Sequence, residues 1–201
     1  MYVFLILAFG ENMGKELEVA ILNVDEKGVR RRLKELNAMH TGQYKFSRVE
    51  LMLEGEIGSG KSWIRVRTDG KETTMTFKRM EGEGDFAPME EYEVKTDNFV
   101  NTVKILNSIS NKLSYFENER DAYTLDSTYI TIDKWPEIPT FVEIEAPTVK
   151  KLKEINERLG IRGDFVGNVS IDSIYRSYGK DFKAIVEKNR SRLMRLLEED
   201  K

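Results

Sequence analysis

The chain has 201 residues, 40% of them apolar and 33% charged, which suits one soluble folded domain with a sizeable core. Its formal net charge of −3 makes no electrostatic case for nucleic acid or a membrane surface as a partner. Zero cysteines exclude disulfides, thiolate metal sites and a cysteine nucleophile, in keeping with a cytoplasmic location.

The apolar run from Tyr2 to Phe9 is far short of the roughly 20 residues a membrane helix needs, and it lacks the flanks of a signal peptide. It reads as an extra strand or an ordered leader, or else translation starts at Met13. A strand is predicted from Glu16 to Asn23. Asp25 then caps a helix to about Met39, with Val29, Leu33 and Leu36 on one face and Arg30, Arg31 and Arg32 as a solvated face. Gly42 to Lys45 reads as a loop and Phe46 to Gly55 as the second strand. Gly55 to Ser62 spells GxxxxGK[ST], but a P-loop needs a helix to begin at its end. Here Trp63-Ile64-Arg65-Val66-Arg67 follows, an alternating strand, so the match reads as a hairpin connection. Lys71 to Met80 is predicted as a strand, Glu81 to Met89 as a Gly-rich acidic loop and Glu90 to Lys95 as another strand. Thr96 or Asp97 caps a helix to about Lys112 through Phe99, Val103 and Leu106. A meander follows as Leu113 to Asp121, Ala122 to Thr128 and Tyr129 to Lys134, and Thr140 to Ala146 closes the strand series. Pro147 suits the first turn of a helix to Leu159 that Gly160 ends. Beyond it, Ser170 opens a short helix ending at Gly179 and Asp181 a longer one.

Within these strands like charges recur two residues apart: Glu16 and Glu18, Arg65 and Arg67, Glu91 and Glu93, Glu143 and Glu145. Residues i and i+2 share one face of a strand. The alternate positions around the first, second and last pairs are apolar, so the charged faces are predicted to turn inward. Buried like charges are expensive without counter-charge. A closed or nearly closed antiparallel β-barrel with a polar lumen and helices packed outside reconciles these facts, giving an α+β fold. Carboxylate oxygens select hard cations, so Glu16, Glu18, Glu143 and Glu145 point to Mg²⁺ or Mn²⁺. Arg65 and Arg67 offer planar forks for phosphate, and Lys78 a compact charge.

Glu16-Leu17-Glu18-Val19-Ala20 resembles the opening ExExK motif of the CYTH superfamily, the triphosphate tunnel metalloenzymes. Arg65-Val66-Arg67, Thr76-Phe77-Lys78, Glu91-Tyr92-Glu93, Glu119 to Tyr123, Ile132-Asp133 and Phe141 to Glu145 follow in the family's order. The resemblance implies one CYTH-like domain over residues 1–201, with its core at 14–160 and a helical extension at 161–201. It implies a small-molecule triphosphate as partner, held by Arg65, Arg67, Lys78, Lys95 and Arg120. Metal ligands would be Glu16, Glu18, Asp133, Glu143 and Glu145, and Lys78 and Glu93 would act in the chemistry. Hydrolysis of the triphosphate is the leading expectation; a class IV-type adenylate cyclase and a binder without turnover are the alternatives, and a homodimer is left open.

Two departures remove positive charge from the phosphate path. The family's Lys is Ala20 here, and a basic residue often found two before Arg120 is Asn118. Installing Lys at Ala20 is expected to raise turnover if phosphate activation is what the chain lacks.

Overall fold

A computed structural model describes residues 15–53, 62–80, 82, 84, 86–87 and 89–198, with backbone alone at 15 and 16. The readings made for residues 2–9, for most of the P-loop-like stretch and for the side chain of Glu16 lie outside the described residues. The elements are β1 (Lys15–Leu22), α1 (Glu26–Glu35), β2 (Met39–Leu53), β3 (Ser62–Thr68), β4 (Thr73–Met80), β5 (Met89–Thr96) and α2 (Phe99–Ile109). They continue with β6 (Leu113–Leu125), β7 (Thr128–Lys134), β8 (Phe141–Ala146), α3 (Val149–Leu159), β9 (Asp164–Gly167), α4 (Ile171–Ser177) and α5 (Phe182–Glu198).

The strands form one antiparallel sheet in the order β5-β4-β3-β2-β6-β7-β8-β1-β9. The sheet curls until β1 meets β5, but among the described residues they pair only through Lys15↔Glu90 and Glu16↔Met89. The other joins of the ring run over five or more register positions, so the enclosure is laced at one corner and incompletely closed.

The two-residue period of each strand sorts its side chains between two faces. On the outer face Val19, Ile21, Ile130, Ile132, Val142 and Ile144 are buried beneath α1 and α3. Around the other side Val49, Leu51 and Val66 are buried under Val103 and Leu106 of α2 and Leu193 of α5. Each fully buried aliphatic side chain of this kind contributes about 1.5–3 kcal/mol. Because helices consume the outer apolar face, the inner face is left to the charged positions. One end of it is apolar: Ala20, Leu22, Phe116, Trp135 and Phe141 pack with Ile174 and Tyr175 of α4 and Ile185 of α5.

Helix boundaries follow their caps. The Asn98 side chain accepts from the Asn101 amide at 2.8 Å to start α2, and Thr148 accepts from the Lys151 amide at 3.1 Å to start α3. Gly160, at φ 58°, ends α3 in the left-handed region.

Several expectations are corrected. The predicted loop at Gly42 to Lys45 lies inside a single long β2, where a register shift between His40 and Gly42 absorbs the irregularity. The meander holds two strands rather than three, because β6 runs unbroken through Ala122 to the turn at Asp126. Strand β9, which the sequence did not signal, pairs with β1 at Ala20 to Leu22. Ser62 opens a strand and not a helix, which denies the P-loop match its required context. Arg30 is not simply solvated, since it pairs with Glu26 and with Asp121 of β6.

Candidate functional site

Register carries the predicted charges to one place. Arg65 of β3 stands opposite Thr76 of β4, and Thr76 opposite Glu93 of β5; one step along, Trp63, Lys78 and Glu91 form the next inward row. Across the curl, Glu18 of β1 is paired with Glu145 of β8, and Glu143 with Thr131 of β7. Glu18, Arg120, Tyr129, Thr131, Glu143 and Glu145 line one cleft.

Arg120 is the hub of that cleft. Its Nε donates to Asp133 Oδ1 at 2.9 Å and its Nη2 to Glu143 Oε2 at 2.5 Å. Asp133 is 0% exposed and also accepts from Asn118 Nδ2 at 3.2 Å and Thr131 Oγ1 at 2.5 Å. Asn118, read from sequence as a lost cation, thus neutralises nothing but orients this buried carboxylate. Asp133 anchors Arg120, with both oxygens already engaged.

Glu18 and Glu143 lie close enough for their carboxyls to act on each other and to share a proton. Burial, then the charges of Glu18 and Asp133, holds Glu143 well above the usual Glu range. Burial would raise Glu18 too, but Lys78, the bond to Glu143, Arg120 and Arg65 together hold it below that range. Two neighbouring carboxyls pushed apart in this way are a like-charge pair that cannot both ionise freely. Among the described residues no three acidic or histidine side chains group closely enough to form a metal cage. The hard oxygens of Glu18 and Glu143, with Glu145 in the same cleft, nevertheless fit a divalent cation in place of the shared proton.

The basic wall is less well paired. Lys78, 8% exposed, forms an ion pair with Glu91. Glu93 Oε2 accepts from Thr76 Oγ1 at 2.7 Å and stands 3.9 Å from Arg65 Nη2, so it orients the basic side. Arg67 lies over the Phe46 ring at 4.6 Å from its centroid, and burial, followed by Arg65, Arg48 and Arg120, holds it well below its ordinary pKa. Lys95 stands apart from this group: it is exposed and pairs with Glu72.

Sequence reasoning missed Arg48. This residue of β2 is 5% exposed and faces inward, with its guanidinium 4.7 Å from the Trp135 ring centroid and 5.7 Å from that of Phe46. Burial, then Arg65, pushes it down to about 9, so it stays charged at neutral pH. The available signal was parity: Arg48 is two residues from both Phe46 and Glu50, between the outward Ser47 and Val49. A search restricted to paired like charges passes over it.

No protein-family model and no curated protein sequence matches the chain. Solved structures do. The PH1012 protein of Pyrococcus horikoshii OT3 superposes with a TM-score of 0.68 at 18% identity, covering 78% of this chain and 98% of its own. A candidate adenylate cyclase from Vibrio parahaemolyticus gives 0.60 at 10% identity, covering 81% and 98%. HpAC1 from Hippeastrum, a candidate adenylyl cyclase described as having a dominant triphosphatase activity, gives 0.54 at 14% identity, covering 85% and 98%. The chain shares the fold of these structures. Within that fold Glu18 lies in the cleft with Glu143, and Arg65 and Arg67 share the inward face of β3.

Proposed function

We propose that the chain binds a metal-complexed triphosphate within the curled sheet and hydrolyses it. One observation carries this reading: the Glu18 and Glu143 carboxyls, crowded together, and the Arg65, Arg67, Lys78 and Arg120 cations share one inward face. A polyanion carrying a divalent cation answers both imbalances at once.

Mg²⁺ or Mn²⁺ would be held by Glu18, Glu143 and Glu145, with Glu16 two residues before Glu18 on the same strand; the ion supplies neutralisation of phosphoryl oxygens and acidification of water. The chain's own groups do the rest. Arg65 and Arg67 bind phosphoryl oxygens as planar forks, and Lys78 adds a compact charge beside Glu18. Arg120 is fixed by Asp133 and Glu143, so it can contact phosphate without losing its orientation. Glu93 holds Thr76 and Arg65 in place. Phosphoryl transfer asks a protein mainly for this kind of positioning and charge neutralisation.

The names of two neighbouring structures, candidate cyclases with one described triphosphatase, support the same substrate class. Hydrolysis is preferred over cyclisation because water is always available, whereas cyclisation needs the ribose hydroxyl held in line with the α-phosphorus. Incubating the protein with ATP, thiamine triphosphate or tripolyphosphate and either cation, then resolving products by chromatography, tests the reading. Orthophosphate release is expected. Pyrophosphate with cyclic AMP would make it a cyclase, and tight binding without product a binder.

A further inference from the structure

We propose that Arg48 is an anion-binding residue at the deep, apolar end of the enclosure, gripping the phosphoryl group that travels furthest toward Trp135. This rests on the triphosphate reading above and adds a residue and a direction of entry to it.

The Arg48 fork has unmet donors. Arg48 Nε and Nη2 are buried and have no hydrogen-bond partner. Arg48 forms no ion pair among the described residues, Glu50 and Asp133 acting on it only at longer range, while Arg120, Lys78 and Arg65 each have a carboxylate within reach. A buried guanidinium with open donors is costly in a folded protein, and an oxyanion that accepts from those donors offsets the cost.

The surroundings favour a role beyond packing. Long cationic side chains normally run their charged ends out to water, yet Arg48 is 5% exposed. Its guanidinium is instead held against Trp135, which is itself packed with Phe116 at 5.9 Å between ring centroids. The aromatic face fixes the plane of the fork without using its in-plane donors, leaving them for an oxyanion. Arg48 pairs in register with Phe116 and so stands one strand from Asn118, where the resemblance leads one to expect a cation. The strand next door provides one.

Direction follows from the plug. Leu22, Phe116, Trp135 and Phe141 fill the inner face beyond Arg48, with Ile174 and Tyr175 behind them. A phosphate chain entering from the Tyr129 and Glu145 side therefore meets Arg120 first and ends at Arg48, with any organic group left toward the entrance.

The test uses the full chain and tripolyphosphate as probe, with binding followed by calorimetry for wild type, Arg48→Met, Arg48→Lys and Arg67→Met. Arg48→Met keeps the stem but removes the fork, and should weaken binding by roughly tenfold to a hundredfold, the usual worth of hydrogen bonds to a charged group. Arg48→Lys should recover part of the loss. Arg48→Met should also raise the urea midpoint of the ligand-free protein, since it removes an unpaired buried charge; a structural role predicts a lower one. In a Trp63→Phe background, added tripolyphosphate should change Trp135 emission, and this response should vanish with Arg48→Met. Unchanged affinity in Arg48→Met while Arg67→Met loses binding would overturn the role of Arg48 and leave the triphosphate reading standing. A lowered urea midpoint together with weaker binding would also overturn it, as a packing defect. No binding by the wild type would remove both.

Discussion

Arg120 and Glu143 meet across two strands with 2.5 Å between Nη2 and Oε2, and the same guanidinium holds Asp133, which solvent does not reach. One cation therefore serves two buried acids. Arg120→Met should leave both without it and cost about 3–5 kcal/mol, the usual penalty for breaking a buried ion pair from one side. Urea denaturation measures this directly. Little loss would show that the hydrogen bonds from Asn118 and Thr131 suffice to hold Asp133.

The Glu143 carboxyl should make stability depend on pH. Its folded pKa is raised by burial and by Glu18 and Asp133, whereas in the unfolded chain it titrates at about 4.3. Between those two values the folded state binds the extra proton, so stability falls as pH rises through that window. Glu18 is shifted the other way, and its contribution is present above the ordinary Glu range and lost as pH falls through its lowered pKa. Glu143→Gln should flatten the fall of the urea midpoint with pH above the ordinary Glu range and lift its upper end. A slope identical to wild type would mean Glu143 titrates normally. Added Mg²⁺ should lift the wild type at the upper end and leave the Gln variant less affected.

Ala20 behaves differently from what its motif position suggests. It is 3% exposed and packed with Leu22, Phe116, Trp135 and Phe141, so Ala20→Lys forces a long charged side chain into a filled apolar cluster. The cost should be about 1–3 kcal/mol from overpacking alone, read as a lower urea midpoint, with no gain in turnover. Faster phosphate release at an unchanged midpoint would instead restore the expectation drawn from the motif, through an ammonium reaching Glu143 in the facing register position.

Local signals explain which elements were legible. β3 and β8 alternate charged and apolar positions, and α3 is bracketed by Thr148 and Gly160, so their limits could be read within a residue or two. β2 was misread because a glycine inside a polar stretch looks like a break. In the structure Gly42 is extended, and it lacks a side chain because the Tyr44 ring lies where a Cβ would be, 2.7 Å from Tyr44 Oη. β9 spans only Asp164–Gly167 and owes its existence to the edge of β1, so no local pattern announces it. Arg48 escaped for the same reason, since nothing nearby in sequence distinguishes a buried unpaired arginine from a solvated one.

What the chain itself wrote down is parity: two-apart spacing sends Glu16 with Glu18, Arg65 with Arg67 and Glu143 with Glu145 to common faces, and this follows from strand geometry alone. Which of those faces oppose one another is a matter of register and curl between strands far apart in sequence. Only the folded sheet sets Glu18 against Glu143, hands Asp133 to Arg120, isolates Lys95 with Glu72 and turns Arg48 onto Trp135. The physical reason is that hydrogen-bonded pairing, not local periodicity, decides each side chain's neighbours across a sheet.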